Sequence, residues 1–278
     1  MFKNILIPLD NSSYSTTSRK FALWFASKFS SRLYGQHVID LITLEGPFLH
    51  DLSGSMGFEP YLNLSIKMKE VLETRGKEIL NDFKDECDKS NVASESYLDT
   101  GIISNEICSR AKMADLVVLA QKGINAMFER GMLGSITETV VRKCPKPVLL
   151  TPGEFRDIRK ALLCYDGSNY AGQAMQTAAE FASQTGISLA VLNSGKDKED
   201  GMKTLNEAKK YFESYNIDTE FVFVEGHANE AIVDYSKKNG IDLIFMGAYG
   251  HSRIIEMVIG STTEYVLRNS DCAVLVRR

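Results

Sequence analysis

The 278-residue chain has no run of about 18 apolar residues, the shortest stretch that would span a bilayer. Its net charge is −4, so it lacks the excess of Lys and Arg that is typical of proteins that bind nucleic acids or anionic membranes. The first residues lead directly into a predicted strand and lack the layout of a signal peptide. We therefore expect a cytoplasmic protein with no membrane partner and no nucleic-acid partner.

Cysteine and histidine are scarce and scattered. The five cysteines include no C-x-x-C pair, and their odd number favours reduced thiols over a disulfide framework. The four histidines lack the spacing of zinc ligands, so no metal site is predicted. The chain also lacks the P-loop lysine motif, the G-x-S-x-G elbow and the H-E-x-x-H helix, which argues against enzymes of those three classes.

The two halves of the chain repeat each other. Four blocks recur in the same order, namely residues 10–14 and 166–170, 25–27 and 181–183, 114–119 and 241–246, and 134–142 and 260–268. Such an ordered series of matches indicates a duplicated domain. We predict one domain over residues 1–153 and a second over residues 154–278, joined near the turn-forming pair Pro152-Gly153.

Short apolar runs alternate with longer amphipathic segments in both halves. Strands are predicted at residues 4–9, 33–39, 93–98, 116–120 and 147–150, and again at 161–165, 188–193, 219–224, 243–246 and 273–276. Helical segments separate the strands in place of hairpin turns, which is typical of parallel β-α-β units covered on both faces. Each half is therefore predicted to be an open, doubly wound α/β domain, whose ligands bind at the carboxyl ends of the strands.

The most informative motif follows a predicted strand of the second half. Gly247 and Gly250 come after the apolar residues 243–246, and nine residues later Gly260-Ser261 opens an amphipathic segment. Glycine lets backbone approach a ligand closely, and a helix start offers free N–H groups and a partial positive charge to an anion. The motif predicts a binding site for the phosphate chain of a nucleotide.

With this G-x2-G-x9-G-[ST] motif, and with Asp166 directly after a predicted strand, the chain resembles a tandem universal stress protein over essentially its whole length. The resemblance implies two Rossmann-like domains, each a five-stranded, mostly parallel sheet with helices on both faces. It also implies an internal pseudo-dimer, in which the last strands of the domains meet at residues 148–150 and 274–276. One class of this family binds ATP and another does not.

The resemblance assigns nucleotide contacts to ten residues of the second half. The residues expected near the adenine, the ribose or the α-phosphate are Cys164, Asp166, Ser194, Met246 and Gly247. The residues expected to hold the phosphates are Gly250, His251, Gly260, Ser261 and Thr262. Cys164 and Ser194 stand where the first half has Pro8 and Val38, which weakens the inference of an adenine pocket and leaves that of a phosphate site unchanged.

The first half departs from the motif in two ways. Ala120 replaces the first glycine, and ten residues instead of nine separate Gly123 from Gly134. If the position of Ala120 requires a left-handed backbone, alanine costs about 1–2 kcal/mol there. We therefore expect nucleotide mainly in the second half and a weak second site in the first. The residues of that second site would be Asp10, Val38, Gly123, Gly134 and Ser135.

Plainer explanations stand beside these assignments. Ser261 and Ser135 suit the role of helix N-cap, which contributes about 1 kcal/mol to helix stability. Asp166 and Asp10 also suit the capping of the helices that follow them. His251 is equally suited to a solvated loop, and a pair of glycines after a strand is often only a tight turn.

No general base is evident beside the predicted phosphate loop, so fast hydrolysis is not expected. The leading hypothesis is a cytoplasmic regulatory module that binds ATP, with or without Mg²⁺, and in which nucleotide orders residues 250–260 for a protein partner. The alternatives are a slow ATPase or nucleotidyl-transfer enzyme of the same fold, and a nucleotide-free dimeric scaffold. Two tandem chains are expected to form a homodimer. Residues 40–65 lack a counterpart in the second half, and the sequence leaves open whether they cover the mouth of a domain or a dimer contact.

Overall fold

Strands and helices alternate through both halves of the protein in the computed structural model. It describes residues 1–40, 59–123, 133–248 and 259–278, and the side chains of the second range from residue 66 onwards. Gly250 and His251, most of the loop before Gly260 and most of the segment 40–65 lie outside the described residues. No helix within the described ranges is long and apolar enough to cross a membrane.

The two halves have the same order of elements. The first half consists of β1 (Asn4–Pro8), α1 (Ser13–Phe29), β2 (Arg32–Asp40), α2 (Glu59–Lys89), β3 (Ser94–Gly101), α3 (Ile103–Arg110), β4 (Leu116–Ala120), α4 (Ser135–Lys143) and β5 (Val148–Thr151). The second half consists of β6 (Lys160–Cys164), α5 (Asn169–Thr185), β7 (Ser188–Gly195), α6 (Lys198–Phe212), β8 (Thr219–Glu225), α7 (Ala228–Lys238), β9 (Leu243–Gly247), α8 (Ser261–Asn269) and β10 (Ala273–Arg277). Each strand predicted from the sequence is present, with small shifts at its ends.

All ten strands form one sheet, in the order β3-β2-β1-β4-β5-β10-β9-β6-β7-β8. Neighbouring strands are parallel within each half. The halves join where β5 and β10 pair in antiparallel fashion, with Leu149 opposite Leu275 and Leu150 opposite Val274. The predicted doubly wound α/β class is confirmed, and the last strands of the two halves meet as the resemblance implies.

The first helix of each half begins at a serine cap, α1 at Ser13 and α5 at Asn169. The Ser12 hydroxyl accepts a hydrogen bond from the N–H of Ser15, and the Ser168 hydroxyl accepts one from the N–H of Ala171. These N-caps satisfy donors that a helix start leaves without an intrahelical partner. Each helix therefore begins directly after the turn that follows its strand.

An aromatic cluster joins helices α1 and α5 of the two halves. The ring centroids of Phe25 and Phe181 are 5.8 Å apart, and the indole of Trp24 stacks on Phe181 at 6.1 Å. Phe181 also contacts Phe245 on β9, at 5.2 Å. Aromatic pairs in this range contribute beyond the area that they bury. The only tryptophan of the sequence thus packs between the halves.

The linker between β5 and β6, residues 152–159, has no regular secondary structure. The hydroxyl of Thr17 donates a hydrogen bond to the carbonyl oxygen of Gly153 and so fastens the linker to α1. The predicted domain boundary after residue 153 falls within this linker and stays a prediction.

The junction of the halves predicts a specific stability pattern. Leu149 and Leu275 are fully buried and lie opposite each other, so Leu149→Ala and Leu275→Ala should each lower the free energy of unfolding by about 2–5 kcal/mol. The double variant should lose less than the sum, because the two side chains share one cavity. Denaturant unfolding measures the free energy of unfolding of all three variants.

The control is Val71→Ala, on the exposed face of α2, which should change the free energy of unfolding by less than about 0.5 kcal/mol. If the double variant lost the full sum of the two single losses, the pairing of Leu149 with Leu275 would be contradicted.

Candidate functional site

Two cavities lie at the carboxyl ends of the strands. The strand order changes direction between β1 and β4 in the first half and between β6 and β9 in the second. Connections leave such a switch point toward opposite faces of the sheet, which opens a crevice between the strand ends. The cavity volume is about 370 Å³ in the first half and about 300 Å³ in the second.

The second-half cavity brings together every predicted residue of that half that the structure describes. These residues are Cys164, Asp166, Ser194, Met246, Gly247, Gly260, Ser261 and Thr262. The phosphate contacts predicted for Gly250 and His251 fall outside the described residues and stay predictions. Sequence reasoning missed a further set of lining residues, namely Tyr165, Ser168, Ala171, Leu192, Ala228, Ile232 and Thr263.

Helix α8 begins in this cavity at a glycine. Gly260 is the N-cap residue, with φ −58° and ψ 141°, and it makes no side-chain cap hydrogen bond. Ser261 is the first helical residue, so its interpretation as an N-cap is wrong. The hydroxyl of Thr263, in the first turn of α8, donates a hydrogen bond to the carbonyl oxygen of Gly247 at 3.0 Å. The residues of this first turn line the cavity, and no side chain of the described part of the chain caps their N–H groups.

Gly247 is required by close packing and not by an unusual backbone angle. A Cβ atom at this position would lie 2.8 Å from the carbonyl carbon and from the Cβ of Tyr170, and 3.0 Å from the nitrogen of Ala171. Neither Gly247 nor its counterpart Ala120 has a positive φ. Since Ala120 does not have a left-handed backbone, the cost of about 1–2 kcal/mol does not arise at this position. The glycine lets β9 end directly beneath the start of α5.

Asp166 shapes the turn between β6 and α5. Its Oδ1 accepts a hydrogen bond from the N–H of Ser168 at 2.9 Å, and Gly167 between them has φ +79°. Ser168, and not Asp166, caps the helix, through its hydroxyl and the N–H of Ala171. The aspartate is thus fixed by its own turn at the rim of the cavity, and the simple capping explanation is wrong for this residue.

The remaining polar groups near β6 and β7 are also held in place. Cys164 is buried, and burial raises the pKa of its thiol far above the usual range, so it stays protonated and is not a nucleophile. The buried amide of Asn193 donates to the carbonyl oxygen of Tyr165 at 2.8 Å, which ties β7 to the end of β6. The hydroxyl of Ser194 donates to the carbonyl oxygen of Gly226.

The first-half cavity repeats this construction. It contains all five residues that were predicted for a second site, namely Asp10, Val38, Gly123, Gly134 and Ser135. Gly134 caps α4 with φ −60° and ψ 141° and again without a side-chain hydrogen bond, so Ser135 is not the N-cap either. The Thr137 hydroxyl donates to the carbonyl oxygen of Ala120 at 2.9 Å, as Thr263 does to Gly247.

Asp10 holds its turn in the same way as Asp166. Its Oδ1 accepts hydrogen bonds from the N–H and from the hydroxyl of Ser12, at 2.9 and 2.5 Å. A Cβ atom at Gly123 would lie 3.1 Å from Oδ2 of Asp10, so the glycine brings the loop after β4 close to this carboxylate. Asp10 therefore supports the turn and leaves the capping of α1 to Ser12.

The two cavities differ in charge and in their walls. Arg75 of α2 and Lys122 line the first-half cavity, with Leu72 and Ile79 beside Arg75 on the same helix. Neither Lys nor Arg occurs among the described residues that line the second-half cavity, where Asp166 is the only carboxylate. An anion in the second half would therefore be bound by neutral N–H and hydroxyl donors. Within the described parts of the chain, no group of three or more His, Cys, Asp or Glu residues is arranged to hold a metal ion.

The chain is similar to proteins of one known family. The profile of the Universal stress protein family matches residues 1–152 and 194–278. Universal stress protein Slr1230 of Synechocystis sp. is 33% identical over 286 aligned residues, which cover 99% of this chain and 100% of that protein. Universal stress protein MJ0531 of Methanocaldococcus jannaschii is 30% identical over 152 residues, which cover 54% of this chain and 82% of the relative.

A solved structure shows the same arrangement. The crystal structure of a universal stress protein from Archaeoglobus fulgidus matches with a TM-score of 0.74 and 22% identity, over 99% of this chain and 98% of that one. At this level of identity the likeness shows a shared fold. Since the family profile and a full-length relative both cover the two halves, the chain belongs to the universal stress protein family.

Proposed function

We propose that the second half binds ATP at the start of α8, and that the protein is a cytoplasmic regulatory module whose signal is nucleotide occupancy. The observation that carries this proposal is the helix start at Gly260, which has no side-chain cap among the described residues and opens into the cavity between β6 and β9. A helix start at the switch point of a doubly wound sheet is a well-suited place for phosphate groups.

The phosphate groups would accept hydrogen bonds from the N–H groups of Ser261, Thr262 and Thr263. These N–H groups belong to the first turn of α8, where the partial positive charge of the helix is concentrated. The hydroxyl of Ser261 is exposed and offers a further donor. Hydrogen bonds to a charged acceptor contribute about 1.5–3 kcal/mol each, so a few of them suffice for specific binding.

The nucleoside would occupy the part of the cavity between β6, β7 and α7. Leu192, Ala228 and Ile232 form an apolar wall against which a purine ring packs, and Asp166 accepts a hydrogen bond from a ribose hydroxyl. The carboxylate is already held by the N–H of Ser168. Binding therefore requires little ordering of this side chain.

Binding without fast turnover is the function that this lining favours. Phosphoryl transfer requires cations on the transferred group and a residue that orients the nucleophile. The described lining of the second-half cavity supplies one carboxylate, Asp166, and no Lys or Arg. The thiol of Cys164 is protonated by burial and offers no nucleophile. A slow ATPase or nucleotidyl-transfer enzyme and a nucleotide-free scaffold remain the alternatives, and association of two tandem chains stays a prediction.

The preference for the second half depends on the loop length and on the close packing at Gly247. Ala120 does not have a positive φ, so a left-handed backbone does not disfavour nucleotide binding in the first half. The first-half helix start at Gly134 is uncapped as well, and two cations, Arg75 and Lys122, line its cavity. Each half therefore has to be tested separately within the intact chain.

Replacement of Ser261 by proline tests the phosphate site directly. Proline removes the N–H of the first helical residue, a position where it is tolerated, and Gly260 with ψ 141° already has the conformation required before proline. We expect Ser261→Pro to weaken ATP binding about ten- to a hundredfold in calorimetric titrations of the full chain.

Two matched variants accompany this measurement. Ser261→Ala keeps the N–H and removes only the hydroxyl, so its loss of affinity should be clearly smaller than that of Ser261→Pro. Ser135→Pro makes the same change at the start of α4, where Gly134 has ψ 141°. Unchanged binding in Ser261→Pro together with weakened binding in Ser135→Pro would place the nucleotide in the first half and refute the proposal.

Turnover distinguishes the regulatory module from the enzyme. With Mg²⁺ and saturating ATP, the purified chain should release less than about one ADP per molecule in the time in which an ordinary kinase completes many cycles. Kinases turn over at about 1–100 per second. Ion-exchange chromatography of the nucleotides measures the product. Multiple turnovers that disappear in Ser261→Pro would favour the enzyme, and the absence of binding in calorimetry would favour the scaffold.

A further inference from the structure

A buried glutamine with an unused acceptor lines the first-half cavity. Gln36, on β2, is 0% exposed, and no other polar residue of the described lining is as deeply buried. Its side-chain oxygen, Oε1, has no hydrogen-bond partner among the described residues. A buried amide oxygen without a donor destabilises a fold, and most such groups in native proteins have a partner. A ligand in the cavity can supply the missing donor.

The neighbours of this amide fix its orientation. Nε2 of Gln36 donates to Oδ2 of Asp99, on β3, at 2.8 Å. The guanidinium of Arg110 donates to both oxygens of Asp99, at 2.9 and 2.6 Å, and lies over the ring of Tyr97. Burial acts to raise the pKa of Asp99, but the hydrogen bonds from Arg110 and Gln36 outweigh it and lower that pKa. The ionised carboxylate can only accept, so the amide turns Nε2 toward β3 and Oε1 away from it, toward the side of β1.

The second half has no such amide under its cavity. In the strand register Gln36 lies opposite Pro8, as Leu192 lies opposite Cys164, so leucine lines the second-half cavity at the position of the glutamine. The same register places Val224 at the position of the aspartate that holds the amide. The fold of these strands therefore does not require the polar network, which is an addition in the first half.

The same cavity has the groups that hold an anion. Arg75 and Lys122 line it, and α4 begins in it at Gly134, which makes no side-chain cap hydrogen bond. Much of the remaining lining is apolar and includes Val38, Leu72, Ile79, Ile103, Ile107 and Leu119. The volume of about 370 Å³ is that of a site for a small molecule. A ligand that satisfies this lining has an anionic group, an apolar or aromatic body, and an N–H or O–H donor.

We propose that Gln36 is a specificity-determining residue of the first-half cavity, and that this cavity binds a nucleotide whose base carries an exocyclic amino group. The amino group donates to Oε1 of Gln36, and the phosphates accept hydrogen bonds from Arg75, Lys122 and the N–H groups at the start of α4. The class of ligand rests on the proposed function, whereas the need for a donor comes from Gln36 itself. The two halves then select nucleotides by different features, because Leu192 cannot accept a hydrogen bond.

Hydrogen exchange of the full chain, followed by mass spectrometry, tests each cavity separately. The two probes are ATP and purine riboside 5′-triphosphate, which lacks only the 6-amino group. Peptides that cover residues 134–138 report on the first half, and peptides that cover residues 260–264 report on the second. We expect half-maximal protection of residues 134–138 at a concentration of ATP at least about tenfold lower than that of the analogue, because the analogue leaves Oε1 of Gln36 without a donor. Equal concentrations, or no protection of residues 134–138 by millimolar ATP, would overturn the proposal.

The matched variant is Gln36→Leu, which copies the residue of the second half at this position. In this variant ATP and the analogue should protect residues 134–138 at about the same concentration. If Gln36 only supported the fold, its replacement would weaken both ligands alike and leave their ratio unchanged, and that result would refute its role in selection. Protection of residues 134–138 with the expected ratio, but none of residues 260–264, would refute ATP binding by the second half and still support the role of Gln36.

Discussion

The close approach of two backbone segments at the switch point of the second half determines the shape of its cavity. A Cβ atom on Gly247 would collide with Tyr170, so β9 can end beneath the start of α5 only because this residue is glycine. The carbonyl oxygen of Gly247 then accepts the hydroxyl of Thr263, which fixes the first turn of α8 against the strand end. The hydrogen bond from Thr263 to Gly247 thus sets where the N–H groups of that turn lie relative to the strands.

Much of this architecture could be predicted from the sequence, because apolar runs and repeated blocks report directly on strands and on duplication. The glycine motif likewise pointed to the cavity at the start of α8, because its described residues Gly247, Gly260 and Ser261 line that cavity. The sequence could not distinguish two reasons for a glycine at position 247, a left-handed backbone and a close approach, and the structure shows a close approach to Tyr170 and Ala171. Nor could it separate Gly260 from Ser261 as the N-cap, since adjacent residues of both kinds suit that position. Leu192 and Ile232 could not be predicted as lining residues, because apolar residues can be assigned to a site only when the strand order is known.

The two halves share their hydrogen bonds and differ in their side-chain chemistry. Asp10 and Asp166 hold equivalent turns, and Thr137 and Thr263 fasten equivalent helices to strand ends. These contacts involve backbone atoms, which a duplication preserves as long as the fold is kept. The cavity walls carry no such constraint. Arg75 and Lys122 line the first-half cavity, whereas the described lining of the second-half cavity has no Lys or Arg.

The pairing of β5 with β10 has a consequence for evolution. A dimer of identical subunits joined by these strands would carry every substitution twice, so its two sites could only change together. Within one polypeptide the junction pairs residues such as Leu149 and Leu275, and each half can be substituted independently of the other. One site can then change while the other is kept, and the two unlike sites are always produced in a one-to-one ratio.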